Sequence, residues 1–362
     1  MRKLILGILL LAISAVSSAG EKWQLTIAHT NDLHGWMMPF DYQTSNARFT
    51  QSEFVDGRFA APDAGGLARR ATMITALRRT TTHPLAVIDA GDLFTRGPWH
   101  KSFFGTPEIE AYNQMGYDMA CIGNNEFKAT AGADSQAILL GLMRQSRFPW
   151  LCANLTVGET GVPVEGIRPF IVRRYGAMRV GFLGLTAPRS KDYPQTKGWT
   201  IGDPIEAATQ WAPIARKECD VLIAVTHIGV DLDKQLAARV AGIDAIIGGD
   251  SHTFVPAPIV VISPNGSRVP IVQAGAYGVR LGRLDLTFEK QGAWLLVGYS
   301  GKLIRVDGAV KEDPAVSRAL AQWIAPPAAT TTKLRPQPLR ARRTLPAPVR
   351  RTPARRRVRA AA

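Results

Sequence analysis

Five short polar clusters in the sequence each follow an apolar, strand-like run. They read HTNDLHG from residue 29, DAGD from 89, GNNE from 123, THIG from 226 and GGDSHT from 248. Because ligands bind at the carboxyl ends of strands in α/β sheets, we expect these clusters to meet at one sheet edge. Their candidate metal ligands are Asp32, His34, Asp92, Asn124, His227, Asp250 and His252.

This set of side chains is suited to divalent metal ions. Carboxylate and amide oxygens combined with imidazole nitrogens favour Mn, Zn, Fe or Mg over a structural cysteine–zinc site. A carboxylate such as Asp92 can bridge two ions, and two ions about 3.5–4 Å apart can hold a hydroxide and clamp a phosphoryl group. Taken singly, His34 could be a surface histidine and Asp92 a helix cap. The five clusters together predict a two-metal phosphoesterase site.

The elements that must position these clusters alternate between strands and helices. Strands are predicted at 24–29, 85–89, 119–122, 150–153, 221–226 and 245–247. Helices are predicted at 66–79, 107–116, 204–218 and 232–241. Hairpins are predicted at 170–185, 259–273 and 281–300. Asp203 is expected to cap the helix that begins at Pro204. This order predicts an α/β fold in which helices cover sheets on the outside.

The first 19 residues differ from the rest of the chain. Arg2 and Lys3 precede an apolar run that ends in small residues before Ala19, which is typical of a cleaved secretory signal peptide. The alternative is an uncleaved membrane anchor, although the run is short for a span. We therefore expect export to the periplasm or the medium, with no transmembrane segment after cleavage.

The last segment, residues 325–362, carries most of the net charge of +15. It holds eleven basic and no acidic residues, whereas residues 20–324 hold 31 basic and 29 acidic residues. The whole-chain charge is thus no argument for a nucleic-acid-binding core. We expect a disordered Pro/Arg-rich tail that either contacts anionic envelope polymers, lipid headgroups or nucleic acid or is a solvated extension.

Three cysteines, Cys121, Cys152 and Cys219, show no spacing typical of a metal site. Each lies in or next to an apolar, strand-like run. Buried free thiols are the expected state, and a disulfide between two of them is the alternative.

As a set, HTNDLHG, DAGDLFTRGP, GNNEF, THIG and GGDSHT resemble the motifs of the calcineurin-like metallophosphoesterase superfamily. With LCANL and VQAGAYGVRLGRLDL, the chain resembles the 5′-nucleotidase/2′,3′-cyclic phosphodiesterase family over roughly residues 23–308. The resemblance implies a four-layer αββα sandwich for residues 20–324. It also implies one ion on Asp32, His34 and His252. The other ion would bind Asn124 and His227, with Asp92 bridging.

The chain departs from the family pattern beside the metal-binding Asn124. The family has a histidine next, partnered by an aspartate three residues later, and this chain has Asn125 and Lys128. A positioned general acid typically contributes ~10²–10⁴-fold in rate. We expect Asn125 and Lys128 to stabilise charge on the phosphoryl group instead, with Arg96 as a further substrate contact. Asp92, Asn124 and Asn125 are the expected catalytic residues.

Two other departures concern the metals and the substrate. Asp250 replaces the first histidine of the family's GHxH motif; as an oxygen ligand it would favour Mn, Mg or Fe over Zn. The resemblance also ends before the second domain that binds the nucleoside in two-domain members. Substrate contacts are therefore expected from loops of the core.

Two features of these loops are candidates for such contacts. An aromatic insertion at 36–59 follows the first two ligands and is either a lid, a stacking wall for a base, or a loop packed on the core. His100 is a spare histidine in the loop after Asp92 and is a candidate to replace the missing acid.

The leading hypothesis is an exported phosphoesterase with two divalent ions, Mn slightly favoured. It would hydrolyse small phosphate esters, either nucleotide-like monoesters or cyclic or aryl diesters, by attack of a metal-bound hydroxide. The alternative is a catalytically inactive metal-binding module of the envelope, motivated by the loss of the acid dyad. A third hypothesis is a related hydrolase of sulfur-containing esters.

Overall fold

The computed structural model describes residues 20–40, 63–97, 100–130 and 134–324. The predicted signal peptide, the basic tail, residues 41–62 of the aromatic insertion and the side chain of His100 lie outside the described residues. The predictions made for them are therefore not tested by the fold.

The strands of the described residues are β1 (Lys22–Thr30), β2 (Leu85–Asp89), β3 (Met119–Cys121), β4 (Trp150–Leu151), β5 (Leu155–Val157), β6 (Ile167–Arg168), β7 (Phe170–Tyr175), β8 (Met178–Thr186), β9 (Trp199–Ile201), β10 (Val221–His227), β11 (Ala245–Ile247), β12 (Ile259–Ile262), β13 (Arg268–Val272), β14 (Arg280–Gln291) and β15 (Ala293–Arg305). The helices are α1 (Leu67–Thr80), α2 (His100–Phe103), α3 (Thr106–Met115), α4 (Ser135–Gln145), α5 (Pro204–Glu218), α6 (Val230–Arg239) and α7 (Pro314–Ile324). Short 3₁₀ turns cover Glu126–Lys128, Pro188–Asp192 and Pro194–Thr196.

Most strands belong to two large sheets. The first has the order β15-β14-β1-β2-β3-β4-β6, and the second has the order β12-β13-β11-β10-β8-β7. Strands β1, β2, β3, β4 and β6 run parallel, as do β8, β10, β11 and β13. Strands β14, β12 and β7 run antiparallel to β1, β13 and β8, respectively, and β15 runs antiparallel to β14. Each sheet thus has a block of adjacent parallel strands, and the carboxyl ends of β1, β2, β3, β10 and β11 carry the predicted clusters.

The two sheets pack face to face, and helices cover both outer faces. Apolar side chains fill the layer between the sheets, among them Leu25, Ile27, Ile88, Met119, Phe182, Ile223, Val225 and Ile247. Helices α1, α3, α4 and α7 bury Ile74, Tyr112, Leu139 and Leu320 against the first sheet. Helices α5 and α6 bury Ala212 and Leu236 against the second. The predicted four-layer αββα sandwich is confirmed.

The predicted elements agree with the structure except at particular boundaries. Asp203 caps α5, because its side chain accepts hydrogen bonds from the backbone N–H groups of Ile205 and Glu206 at 2.8 and 3.0 Å. The strand predicted at 150–153 was wrong beyond Leu151. The Cys152 N–H still donates to the Arg168 carbonyl in β6, but the Ala153 N–H donates to the Gly184 carbonyl in β8 of the second sheet. The helix predicted at 232–241 spans Val230–Arg239, and helices α2, α4 and α7 and the short strands β5, β6 and β9 were not predicted.

Two further expectations concern the cysteines and membrane spans. The three cysteines are free and buried, as expected. Among the described residues, no helix combines the length and the apolar character needed to cross a membrane.

A buried polar network ties α1 and α3 to the first two strands. The Arg70 guanidinium donates to the hydroxyls of Tyr112 and Tyr117 at 3.0 and 3.3 Å. Tyr112 donates to Asp89 at 2.8 Å, and Thr30 donates to the same carboxylate oxygen at 2.6 Å. Because Thr30 and Asp89 are the last residues of β1 and β2, this network fixes the strand ends from which the first two clusters emerge.

Arg70→Met should lower the free energy of unfolding by about 1–3 kcal/mol, because it removes a hydrogen-bond partner of the buried Tyr112 and Tyr117 hydroxyls. Urea denaturation followed by circular dichroism measures this loss. Arg79→Met, on the exposed side of the same helix, is the matched control and should change stability by less than about 0.5 kcal/mol. Equal stability of the two variants would contradict a structural role for the network.

Candidate metal centre

The predicted ligands lie where strands end and the backbone turns sharply. Asp32 and His34 follow β1, Asp92 follows β2, and Asp250 and His252 follow β11. All five have positive φ, between 50° and 81°. Non-glycine residues adopt this conformation at a cost of order 1–3 kcal/mol each, and such residues cluster at functional sites. The surrounding fold therefore holds these side chains in positions that the local sequence alone would not choose.

Asp32 is fully buried and turns one oxygen toward three histidines. Its Oδ1 lies 3.2 Å from Nε2 of His252, 3.7 Å from Nε2 of His34 and 3.8 Å from Nε2 of His227. This oxygen has no hydrogen-bond partner. The other oxygen, Oδ2, accepts from the Asn31 amide at 2.7 Å and from the backbone N–H of Asp250 at 2.9 Å. The carboxylate is thus oriented by one oxygen and free to bind a cation with the other.

Asp92 lies between two of the histidines. Its Oδ2 is 3.6 Å from Nε2 of His34 and 3.3 Å from Nε2 of His227. Burial alone would raise its pKa, but His227 and His34 hold the pKa of Asp92 well below its usual range. An ionised carboxylate between two imidazole nitrogens is the arrangement that a bridging ligand requires.

The backbone around Asp92 is held by Glu126, which sequence analysis did not single out. Its carboxyl group accepts from the N–H groups of Asp92, Leu93 and Gly123 at 2.9, 2.7 and 2.6 Å. Burial and the neighbouring Asp92 carboxylate raise the pKa of Glu126 to about 8. Gly123 permits this approach, because a Cβ at that position would clash with the Asp92 carboxylate.

The histidine ligand atoms point into the same space. His227 uses Nδ1 to contact the carbonyl of Ala90 at 2.7 Å, so that Nε2 faces the carboxylates. Burial opposes its protonation, yet Asp92 and Asp32 raise the pKa of His227 well above its usual range. His34 and His252 bring their Nε2 atoms within 3.0 Å of each other. The carboxylates therefore create a strongly negative potential that attracts positive charge.

Two groups of ligand atoms fit a metal centre of the predicted kind. Asp32, His34 and His252 form one group, and Asp32, Asp92 and His227 form the other; within each group the ligand atoms lie within 4.8 Å of one another. Buried atoms without hydrogen-bond partners include Asp32 Oδ1 and His227 Nε2, which is unfavourable unless a cation binds them.

Asn124 and Asp250 lie at the same centre but contact a cation of the chain itself. The guanidinium of Arg189 donates to Asn124 Oδ1 at 2.8 Å and to both carboxylate oxygens of Asp250. Asp250 Oδ1 is also 3.5 Å from Nε2 of His227. Arg189 belongs to the 3₁₀ turn after β8. The sequence analysis missed it, and its position just after a strand is the one signal that could have indicated it.

The predicted substrate contacts lie around this centre. Asn125 is buried and donates its backbone N–H and its amide to Asp92, at 2.7 and 2.5 Å. It therefore positions Asp92. Lys128 places its ammonium 3.9 Å from the ring centre of Tyr193, whose hydroxyl accepts from the Asn124 amide at 3.2 Å. Arg96 is exposed and contributes to the low pKa of His34, which burial lowers to about 3.

Aromatic side chains border the His34 side of the centre. Tyr277 has its ring centre 5.7 Å from that of His34 and 5.6 Å from that of His252. Trp36 contacts Tyr277, and Phe40 lies 4.6 Å from Trp36 between ring centres. Trp36 and Phe40 belong to the predicted aromatic insertion. Tyr277 was missed as a site residue, although it lies within the AGAYGVRLG motif.

Relatives of known sequence and structure resemble this chain over most of its length. It is 31% identical over 322 residues to the 5′-nucleotidase of Bos taurus, a match that covers 84% of this chain and 53% of that protein. The chain thus spans about half the length of the curated relatives it matches.

Solved structures show the same architecture. The 5′-nucleotidase precursor of Thermus thermophilus matches with a TM-score of 0.71 at 26% identity, over 83% of this chain and 58% of that chain. The sulfate thiohydrolase SoxB of the same organism matches with a TM-score of 0.70 at 20% identity, over 83% of this chain and 60% of that chain; this likeness concerns the fold alone.

A family model described as calcineurin-like phosphoesterase matches residues 25–254. This match covers more than half of the chain, and it agrees with the sandwich and with the buried Asp and His ligand groups described above. The chain therefore belongs to the calcineurin-like phosphoesterase family, as its motifs predicted.

Proposed function

We infer that this chain is a metal-dependent phosphoesterase that hydrolyses small phosphate esters. The observation that carries this proposal is the pair of ligand groups that share Asp32, with Asp92 placed between His34 of one group and His227 of the other. Membership of the phosphoesterase family supports it. The 5′-nucleotidase relatives support nucleotide-like monoesters as one substrate class, with cyclic or aryl diesters as the other.

Seven residues would hold two divalent ions, with Mn favoured because Asp250 adds an oxygen ligand. One ion would contact Asp32, His34 and His252, and the other His227, Asn124 and Asp250, with Asp92 shared. When bound, the ions supply Lewis acidity to a phosphoryl oxygen and to the attacking water.

The chain's own residues would orient these ligands and the substrate. Asn125 fixes the direction of the Asp92 carboxylate, and Asn31 fixes that of Asp32. The exposed Arg96 adds positive charge at the edge of the centre, beside His34, where charge develops on a transferring phosphoryl group.

Asp92→Asn should abolish turnover of bis-p-nitrophenyl phosphate and p-nitrophenyl phosphate in the presence of Mn²⁺. Removing a residue that only hydrogen-bonds to a metal ligand typically lowers activity 10–100-fold. The decrease in turnover should be larger here, because the shared carboxylate itself is removed. Initial rates of the mature chain measure it. Asp231→Asn, at an exposed carboxylate paired with Lys234, is the matched control and should retain full activity. Undiminished turnover by the Asp92 variant would refute the mechanism.

The residues at 125 and 128 predict a preference for good leaving groups. The Asn125 amide cannot supply the proton that a histidine would give to a departing alkoxide, and the Lys128 ammonium lies over the Tyr193 ring. The double variant Asn125→His with Lys128→Asp should therefore raise hydrolysis of a nucleoside monophosphate relative to p-nitrophenyl phosphate. The gain should approach ~10²-fold.

Steady-state rates on both substrates test this prediction. Asn125→His alone is the control, since the added histidine then lacks its partner and should give a smaller gain. An equal change on both substrates would show that the substitutions alter binding and not protonation of the leaving group.

A second candidate function is metal binding without catalysis. The contacts of Arg189 with Asn124 and Asp250 favour it, because they engage two of the proposed ligands. Retention of metal together with no turnover of any phosphate ester, including the aryl esters above, would establish this candidate over the first. Turnover of a sulfur-containing ester alone would support the third hypothesis.

Export is part of the proposal and rests on residues 1–19. The purified periplasmic or secreted protein should begin at Gly20, as intact mass spectrometry would detect. Ala19→Asp should retain the leader, because a small residue is needed before the cleavage point. A full-length mass for the unaltered exported chain would contradict cleavage. Contact of the basic tail with anionic envelope polymers remains a prediction.

A further inference from the structure

The guanidinium of Arg189 lies at the position where the second ion would bind. Its Nη2 contacts both Asn124 Oδ1, at 2.8 Å, and Asp250 Oδ1. The latter oxygen is 3.5 Å from Nε2 of His227. One cationic nitrogen thus contacts two of the oxygens proposed for the second ion, and one of these oxygens faces the imidazole nitrogen proposed for the same ion.

This arrangement satisfies Asp250 electrostatically. The carboxylate side chain is only 9% exposed, so that it needs a cation or several hydrogen bonds. Arg189 provides a two-pronged contact, with Nη1 donating to Oδ2 at 2.8 Å and Nη2 donating to Oδ1. A planar guanidinium matches a carboxylate in this way, which a point charge cannot do.

The ligands proposed for the first ion differ from those proposed for the second in their contacts with arginine. Asp32 Oδ1 has no hydrogen-bond partner, and the nitrogens of ion-pairing residues near it are those of His34, His227 and His252. Among the described residues, no guanidinium forms an ion pair with Asp32, whereas an ion that binds Asn124 and Asp250 must displace one.

Arg189 is able to leave. Its side chain is 51% exposed, and it lies in a short 3₁₀ turn, Pro188–Asp192, on the solvent side of the centre. Displacement would cost the contacts with Asn124 and Asp250, but it would return the guanidinium to water and not to an apolar environment.

We propose that Arg189 competes with the second divalent ion for Asn124 and Asp250, so that the two ions bind with unequal affinity. The proposal rests on the metal centre of the proposed function but not on its catalysis. The first ion binds at Asp32, His34 and His252 independently of Arg189. The second ion binds more weakly, because its binding must first break the guanidinium contacts. For charged hydrogen bonds this cost lowers the affinity by about 10–100-fold.

Titration of the metal-free mature chain with Mn²⁺ tests this competition, with calorimetry giving both affinities and electron paramagnetic resonance distinguishing single from paired ions. The unaltered chain should bind one ion tightly and a second about 10–100-fold more weakly. Arg189→Met should tighten the second ion by that factor and leave the first unchanged. Arg189→Lys should give an intermediate affinity, since an ammonium keeps the charge without the planar fork.

Arg174→Ala, at an exposed arginine in β7, is the control and should bind both ions as the unaltered chain does. Circular dichroism of each metal-free variant verifies that it is folded. Two equal affinities in the unaltered chain would overturn the proposal, as would an unchanged second affinity in Arg189→Met. A uniform gain at both positions would also overturn it, because it would mean that Arg189 acts through general charge and not by competition.

These outcomes are independent of catalysis. If the chain hydrolysed no ester, the proposed function would fail, while the binding isotherms would still decide between competition and its absence. If the chain were active but bound two ions equally, only the inference about Arg189 would fail.

Discussion

The burial of two carboxylates among three imidazoles is the constraint on which the rest of this structure depends. Asp32 and Asp92 are almost completely excluded from water, and an uncompensated buried charge is strongly destabilising. The protein compensates by directing the amides of Asn31 and Asn125 at these carboxylates. One oxygen of Asp32 then still faces the Nε2 atoms of the three histidines. These atoms are stable together only with a proton or a cation between them.

The architecture of the two sheets explains how this arrangement is maintained. Parallel strands of both sheets end at the same edge, and the layer of apolar side chains between the sheets fixes their relative position. The left-handed backbone at five ligand positions is unfavourable locally. Hydrogen bonds from the surrounding fold, such as those that Glu126 accepts around Asp92, hold the backbone in this conformation. The network of Arg70 and Asp89 continues this support beneath the strand ends.

Asn125 and Asp250, which depart from the family pattern, both change the charge and the proton-transfer capacity of the centre. Asn125 replaces a group that can transfer a proton with one that can only donate a hydrogen bond, and it uses that hydrogen bond on Asp92. Asp250 adds a negative charge, which Arg189 neutralises. The result is a centre with more fixed charge and less capacity for proton transfer. Such a centre is suited to stabilising anionic groups, and its catalysis would depend more strongly on the leaving group.

Local sequence signals determined most of the elements and indicated the candidate ligands. Strand-like runs followed by Asp, Asn and His identified the centre, and Asp203 with Pro204 identified the start of α5, because periodicity and capping act over a few residues. Only the tertiary structure decided which side chains meet across the sheets. Arg189 contacts Asp250 from 61 positions away, and Glu126 holds the backbone of Asp92 from 34 positions away. These contacts depend on how the strands of each sheet align and how the two sheets pack, and neither is encoded in the neighbouring residues.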